Sequence, residues 1–138
     1  MRGVLVDAGP LVALLDRADP AHGTCVAALR TLRTPLVTVW PALTEAMYLL
    51  GESRPAQKAL WSRIETESLQ LAPLDGSDAP RMRELMEKYR DLPMDMADAA
   101  LVRVAERESL FNIFTLDRTH FSVYRPGRGK RFSILPRN

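Results

Sequence analysis

The stretch GVLVDAGPL, residues 3–11, places a carboxylate directly after an apolar run and a helix start soon after the carboxylate. Residues 4–6 predict a short buried strand, which Asp7 ends. Pro10 favours the beginning of a helix, because its missing N–H costs nothing at the first helical position. The prediction of the fold therefore starts from a strand that leads through a carboxylate into a helix.

Strands and helices alternate along the rest of the chain. Further strands are predicted at 36–39, 68–71, 111–115 and, as a short fifth, 132–135. Helices are predicted to begin at Asp19-Pro20, at Pro41, at Pro55, at Ser77 with Asp78, and at about Asp95. This alternation indicates an α/β fold with a mostly parallel sheet covered on both faces. No repeat or linker divides the chain, so we expect one domain over residues 1–138.

Composition limits the classes of protein that need considering. Apolar residues make up 46% and charged residues 26% of the 138 residues, the balance of a soluble globular domain. No apolar run approaches the roughly 18 residues of a membrane span, and no signal peptide precedes the first strand. The single cysteine, Cys25, excludes an internal disulfide and fits a reducing cytoplasm. The net charge of +2 does not itself identify a nucleic-acid binder.

Five carboxylates stand at the ends of apolar elements or inside them: Asp7, Glu45, Asp95, Asp98 and Asp117. An isolated buried carboxylate is costly, so such groups are usually paired or bind a metal. In open parallel sheets, sites form beyond the carboxyl ends of the strands, where the strand order reverses. Asp7 and Asp117 follow the first and fourth predicted strands. We therefore expect one acidic, cation-binding cleft in which at least one carboxyl has a raised pKa.

Each acid also has a structural interpretation. An aspartate at a strand end or helix start is often a cap or turn residue, and for Asp95 a cap is favoured over a ligand. Glu45 has no capping role, and its neighbours Ala42 and Leu49 place it on a partly buried stripe. His22 and His120 are interpreted as surface or satisfied polar residues. The side chains expected to pack in the core include Cys25, Trp61, Met82, Met86, Met94 and Met96.

Four stretches together resemble the PIN-domain ribonucleases, specifically the VapC-type toxins of bacterial and archaeal toxin–antitoxin pairs. They are VLVDAGPLVALLD (4–16), TEA (44–46), MADAALV (96–102) and FTLDRTHF (114–121). The resemblance implies a three-layer α/β/α sandwich around a mostly parallel sheet of four to five strands. The acidic quartet of the family falls on Asp7, Glu45, Asp98 and Asp117, and its frequent hydroxyl falls on Thr115. One departure is Gly9, where many relatives have Ser or Thr.

The resemblance implies endonucleolytic cleavage of RNA with Mg²⁺ or Mn²⁺, and hard oxygen ligands without Cys or His agree with those ions. We assign Asp7 and Asp98 as principal ligands, Asp117 as completing the metal shell, and Glu45 as the group that orients or deprotonates the attacking water. Thr115 and Asp95 are assigned a supporting role behind these ligands. Hydrolysis by water is expected to leave a 5′-phosphate and a 3′-hydroxyl.

An RNA backbone needs cations around the acidic pocket. Arg118 directly follows Asp117, and a basic cluster follows in the segment YRPGRGKR, residues 124–131. Its cations are Arg125, Arg128, Lys130 and Arg131. We expect Arg118 and the last three of these to contact RNA beside the acidic site. Contact with an acidic partner segment is the alternative for the basic cluster.

By resemblance, the expected partners are an RNA substrate, a cognate antitoxin and a second copy of the chain, with no membrane. Two other functions remain open: a PIN nuclease of RNA processing without an antitoxin, and a non-catalytic module that binds RNA or protein. The intact acidic quartet disfavours the binding module. A haloacid dehalogenase-type phosphatase would need an acidic residue where Gly9 stands.

Overall fold

The alternation of strands and helices is present in the structure, a computed structural model that describes residues 1–137. The strands are β1 (Val4–Val6), β2 (Leu36–Thr38), β3 (Leu69–Leu71), β4 (Asn112–Phe114) and β5 (Ser133–Leu135). The helices are α1 (Ala8–Leu15), α2 (His22–Thr31), α3 (Trp40–Leu49), α4 (Arg54–Glu65), α5 (Ala79–Lys88), α6 (Met96–Glu108) and α7 (Arg118–Phe121). A 3₁₀ turn at Gly76–Asp78 leads into α5. Within residues 1–137, no helix is long and apolar enough to cross a bilayer.

The five strands form one sheet in the order β3-β2-β1-β4-β5, and every neighbouring pair is parallel. The prediction of a mostly parallel sheet of four to five strands is therefore confirmed. The strand order reverses between β1 and β4, so the connections leaving these two strands diverge. A crevice opens at such a point, beyond the carboxyl ends of the strands.

The sheet divides the core into two layers, as β1 shows, because successive side chains of a strand point to opposite faces. Leu5 packs in a buried cluster with residues of α5 and α6. Val4 and Val6 pack in a second cluster with α1, α3 and α4. The sheet thus has helices on both faces, which confirms the three-layer α/β/α sandwich.

Three helices of the site begin with an aspartate cap, and the third is α7, where Asp117 accepts from the backbone N–H of His120. Asp7 caps α1, and its side chain accepts a hydrogen bond from the backbone N–H of Ala8. Asp95 caps α6 by accepting from the backbone N–H of Asp98 at 2.8 Å. Each cap satisfies a backbone donor that the first helical turn leaves free. The capping role favoured for Asp95 is confirmed, and Asp98 lies in the first turn of α6.

The predicted starts of α1 and α2 are wrong: α1 begins at Ala8, two residues before Pro10, because Asp7 caps it. Helix α2 begins at His22, because the side chain of Asp19 accepts from the backbone N–H of Ala21 and closes a turn first. The predicted start of α5 is confirmed, because Asp78 is its N-cap residue, but the Asp78 side chain makes no cap hydrogen bond to that helix; Asp75 caps the preceding 3₁₀ turn. The Asp78 carboxylate is buried and faces the arginines of α6.

Three side chains predicted to be buried are exposed. Trp61, Met86 and Met96 are 45%, 37% and 57% exposed. Leu60 is only 1% exposed and takes the buried position in α4, so its neighbour Trp61 points outward. Apolar composition alone does not settle which side of a helix faces the core.

Candidate active site

All five acids identified in the sequence surround one cavity of about 370 Å³ at the strand-order reversal. The cavity is lined by Asp7, Gly9, Glu45, Pro93, Asp95, Asp98, Leu116, Asp117 and His120. Asp7 follows β1, Glu45 belongs to α3, Asp98 lies in the first turn of α6, and Asp117 follows β4. The fold therefore brings together acids that are up to 110 positions apart, from 7 to 117 in the chain.

Thr115 joins the two aspartates that follow the strands. The backbone N–H of Asp7 donates to the carbonyl of Phe114 at 3.0 Å, which ties the end of β1 to β4. The Thr115 hydroxyl donates to Asp7 Oδ2 at 3.0 Å and accepts from the backbone N–H of Asp117, also at 3.0 Å. Because Thr115 is fully buried, this link fixes the relative positions of Asp7 and Asp117.

Asp98 is the most deeply buried acid of the cavity, with 9% of the residue exposed. Its Oδ2 accepts a hydrogen bond from the buried Tyr124 hydroxyl at 2.8 Å. Burial raises the pKa of Asp98 to about 7, and the negative charges of Asp95, Asp7 and Asp117 add to the effect. The expected raised carboxyl pKa is thus confirmed, and Asp98 is the residue that carries the largest shift.

Glu45 faces the open side of the cavity and is exposed, and Leu49, one turn later, is 54% exposed. The prediction that Glu45 lies on a partly buried stripe is therefore wrong. Partial desolvation raises the pKa of Glu45, and the charges of Asp7 and Asp95 raise it further. Burial likewise raises the pKa of Asp7. A bound cation would relieve this mutual repulsion.

His120 lines the cavity, and both of its ring nitrogens have polar partners, so its interpretation as a satisfied polar residue is confirmed. Its Nδ1 lies 2.6 Å from Asp117 Oδ2, and its Nε2 lies 3.0 Å from the carbonyl of Leu92. A backbone carbonyl and a carboxylate both accept hydrogen bonds, so this arrangement favours the imidazolium form of the ring, in which both nitrogens donate. The hydrogen bond with Asp117 is the main reason that the pKa of His120 is raised. The three-residue spacing from Asp117 was the sequence signal for this contact.

The donor set of the cavity fits a hydrated divalent cation. Within residues 1–137, no three Asp, Glu, His or Cys side chains stand close enough together to enclose an ion by themselves. Mg²⁺ usually keeps several waters and is held by one or two carboxylates rather than by a protein cage. The acids of this cavity supply oxygen donors, and the sole cysteine lies in α2, away from it. These residues therefore fit Mg²⁺ or Mn²⁺ bound partly through water.

The predicted basic residues separate into two locations. Arg118 Nη1 donates to the carbonyl of Pro136, just past the end of β5 and so at the same edge as the cavity. Lys130 Nζ lies 5.5 Å from the ring centroid of Phe111, which precedes β4. Lys130 is therefore at the opposite edge, and the prediction that it lies beside the acidic site is wrong. The chain must cross to that edge because β5 is parallel to β4.

The other cations of the basic segment also lie away from the acidic cavity. Arg125 Nη1 donates to the carbonyls of Ser122 and Val123, so this guanidinium caps the local chain. Arg128 and Arg131 are exposed on either side of Lys130. None of these residues lines the acidic cavity.

A parallel sheet with four acids at the point where its strand order reverses is a combination that can be compared with known protein families. Residues 4–126 match the PIN domain family, and the chain belongs to that family. The sequence is 30% identical over 135 residues to Ribonuclease VapC26 of Mycobacterium tuberculosis (strain ATCC 25618 / H37Rv). That alignment covers 96% of this chain and 100% of the relative. The resemblance identified from the four sequence stretches is confirmed.

Two solved structures share the fold. The Mycobacterium tuberculosis toxin VapC20, described as cleaving the Sarcin-Ricin loop, superposes with a TM-score of 0.77 at 17% identity. The match covers 84% of this chain and 91% of that one. VapBC2 from Rickettsia felis, bound to a DNA fragment from its promoter, matches with a TM-score of 0.63 at 11% identity, over 96% and 98% of the two chains. At these identities the likeness establishes the fold.

Proposed function

We propose that this chain is a divalent-metal-dependent endoribonuclease and the toxin of a type II toxin–antitoxin pair. The observation that carries the proposal is the meeting of Asp7, Glu45, Asp98 and Asp117 around one cavity. A binding module has no reason to retain mutually repelling carboxylates, whereas a cation-dependent hydrolase needs them. The full-length relative that bears the name ribonuclease supports the reaction class.

The acids have different proposed tasks. Asp7 and Asp98 are the principal ligands, directly or through water, and Asp117 completes the set. A cation held there would lower the pKa of an attacking water and offset charge on the scissile phosphate. Glu45 lies on the open side of the cavity, where it can orient or deprotonate that water. Thr115 fixes Asp7 against Asp117, and Asp95 holds the first turn of α6 that carries Asp98.

RNA binding is assigned to two groups of cations. Arg118 lies at the edge of the sheet that carries the cavity, and we propose that it contacts the phosphate nearest the cleaved bond. Arg128, Lys130 and Arg131 lie on a segment that crosses to the other edge, so their proposed contacts are with RNA that extends beyond the site. Such contacts raise affinity without touching the reacting atoms.

Two protein partners are part of the proposal: a cognate antitoxin and a second copy of the chain. Trp40, Tyr48 and Met96 are 49%, 83% and 57% exposed around a depression of about 710 Å³ beside Glu45. An exposed group of large apolar side chains is typical of a surface that contacts another protein, and we propose a second copy as its occupant. We further propose that residues 1–138 act as one domain in the cytoplasm.

Induction in cells tests the toxin proposal. Expression of the chain should stop growth and produce new RNA 5′ ends, mapped by sequencing, whereas the Asp98→Asn variant should do neither. A small gene directly upstream is expected for a toxin, and its co-expression should restore growth. If new RNA ends appear but that gene does not restore growth, the proposed nuclease activity stands and the proposed antitoxin is contradicted. No new ends at equal expression of folded protein would contradict the ribonuclease.

A further inference from the structure

A buried tyrosine contacts the acid with the most strongly raised pKa in the cavity. Tyr124 is 0% exposed, and its hydroxyl donates to Asp98 Oδ2 at 2.8 Å. Asp98 lines the cavity, and within residues 1–137 the structure gives its Oδ1 no hydrogen bond, so that oxygen keeps its lone pairs for water or a cation. The tyrosine thus restricts the rotation of the carboxylate through one oxygen and leaves the other without a hydrogen bond.

His120 makes the corresponding contact with Asp117. Its Nδ1 donates to Asp117 Oδ2 at 2.6 Å, and its backbone N–H donates to Asp117 Oδ1 at 3.1 Å. These two bonds occupy about half of the acceptor positions of a carboxylate, so Asp117 keeps lone pairs for water or a cation. The second ring nitrogen, Nε2, is bonded to the Leu92 carbonyl, which prevents the ring from turning away.

The two donors belong to one packed unit. The rings of His120 and Tyr124 are nearly parallel, at 16° with centroids 6.3 Å apart. Phe121 and Tyr89 pack edge-on against Tyr124, with centroids 5.1 Å and 5.0 Å away. Aromatic packing of this kind restricts the rings, so a displacement of one donor affects the other.

We propose that Tyr124 and His120 are positioning residues that hold Asp98 and Asp117 in the arrangement that binds the cation of the reaction. This inference rests on the proposed function of the cavity. Without such donors, two repelling carboxylates would rotate apart, and the binding of a cation would first have to reorient them. Residues that orient ligands from behind typically change metal affinity or activity by about 10-fold or more when they are replaced.

Tyr124→Phe tests the tyrosine, with Tyr89→Phe as the matched control. Both variants remove one phenol hydroxyl from the same aromatic cluster, but the Tyr89 hydroxyl accepts from the backbone N–H of Arg125 and contacts no acid of the cavity. Calorimetric titration with Mn²⁺ should give a dissociation constant about 10-fold weaker for Tyr124→Phe and unchanged for Tyr89→Phe. In RNA cleavage, Tyr124→Phe should lower kcat at constant KM for RNA.

His120 is tested by graded replacement. In His120→Asn, the side-chain amide can still donate to Asp117, whereas in His120→Ala no side-chain donor remains. Mn²⁺ affinity should therefore fall in the order wild type, Asn, Ala. A residue that only fills space would give equal losses in the two variants, because neither restores the volume of the ring.

Melting temperatures separate positioning from folding. Variants that melt within a few degrees of the wild type are compared directly, and a less stable variant is titrated well below its melting temperature. Unchanged Mn²⁺ affinity in Tyr124→Phe, equal changes in Tyr124→Phe and Tyr89→Phe, or no Mn²⁺ binding by the wild type would overturn the inference. If Mn²⁺ affinity changes as stated but neither the wild type nor any variant cleaves RNA, the positioning role stands and the proposed ribonuclease activity is contradicted.

Discussion

At the scale of single residues, Asp98 is the acid whose charge the fold opposes most strongly. Burial raises its pKa from 3.8 to about 7, so the folded protein keeps a proton that the unfolded chain has lost. Between these values, the folded state binds more protons than the unfolded state, and stability falls as pH rises. The slope is about 1.4 kcal/mol per pH unit for one such proton.

We therefore predict that the metal-free protein is less stable near neutral pH than near pH 5. Melts in EDTA across this range measure the loss, to which the raised pKa values of Asp7 and Glu45 contribute in the same direction. The Asp98→Asn variant should lose much less stability over that range, because Asn has no proton to lose. Equal slopes for the wild type and Asp98→Asn would show that Asp98 is not the titrating group.

At the scale of elements, the buried carboxylate of Asp78, the N-cap residue of α5, attaches the start of that helix to two arginines of α6. The side chain of Asp78 is 3% exposed, and its Oδ1 accepts from Arg103 Nε at 2.7 Å and from Arg107 Nη1 at 2.9 Å. Its Oδ2 accepts from the backbone N–H of Asp75 at 3.0 Å. These partners hold the pKa of Asp78 at about 2 despite its burial, which opposes them. The stability that this carboxylate contributes is lost only in strong acid, well below the range in which Asp98 titrates.

Asp78→Ala should lower the free energy of unfolding by on the order of 2 kcal/mol or more, measured by urea denaturation. Loss of Asp78 removes the acceptor of Arg103 Nε, whereas Arg107 loses one acceptor and keeps Glu108 and the carbonyl of Pro73. Arg83→Ala is the control, because its partner is Glu87 and both side chains are about two-thirds exposed, at 66% and 65%. Such a surface pair contributes about 0.5 kcal/mol. Similar losses in the two variants would contradict the assigned role of Asp78.

The sequence predicted the strands better than it predicted the helix starts. A strand such as 4–6 is a short apolar run, and the residues next to it in the sequence are enough to predict it. Asp78 could be read only as a cap, because its arginine partners lie 25 and 29 positions later and meet it only in the folded chain. The sequence predicts that Trp61 points inward, although it is exposed, because composition does not give the rotation of a helix about its axis.

At the scale of the whole molecule, a cation that binds only the folded state stabilises it by mass action. Millimolar Mn²⁺ or Mg²⁺ should raise the melting temperature at neutral pH and raise it less at acidic pH, where the ligands are protonated. At about 100 times the dissociation constant, the gain is about 2.7 kcal/mol. A melting temperature that neither ion changes at neutral pH would contradict a metal site that is formed before RNA binds.

The basic segment should contribute to RNA affinity along an extended path. Replacing Arg128, Lys130 and Arg131 together with Ala should weaken RNA binding and flatten its salt dependence, because fewer counterions are released. The rate at saturating RNA should change little, since these residues lie away from the cavity. Arg118→Ala should lower the rate as well. An unaltered salt slope combined with lost antitoxin binding would make the segment a protein-binding surface.

The four acids of the site could be predicted because each interrupts a local apolar pattern, and parallel topology sends the strand-end aspartates to one edge. Tyr124 could not, since its contact with Asp98 depends on how the segment after β4 folds back, whereas His120 had a sequence signal in its three-residue spacing from Asp117. The same limit misplaced Lys130: it is close to Asp117 in sequence, but the return to a parallel β5 carries it to the other edge.

The most direct test of the acidic cavity as a nuclease site is cleavage of defined RNA by the purified protein and by Asp7→Asn. Asn keeps the shape of Asp7 but removes the charge that is proposed to hold the cation. We predict cleavage with Mg²⁺ or Mn²⁺ that leaves a 5′-phosphate and a 3′-hydroxyl, none in EDTA, and none with a folded Asp7→Asn protein. Cleavage that survives in EDTA, leaves a 2′,3′-cyclic phosphate, or proceeds unchanged in Asp7→Asn would contradict the account.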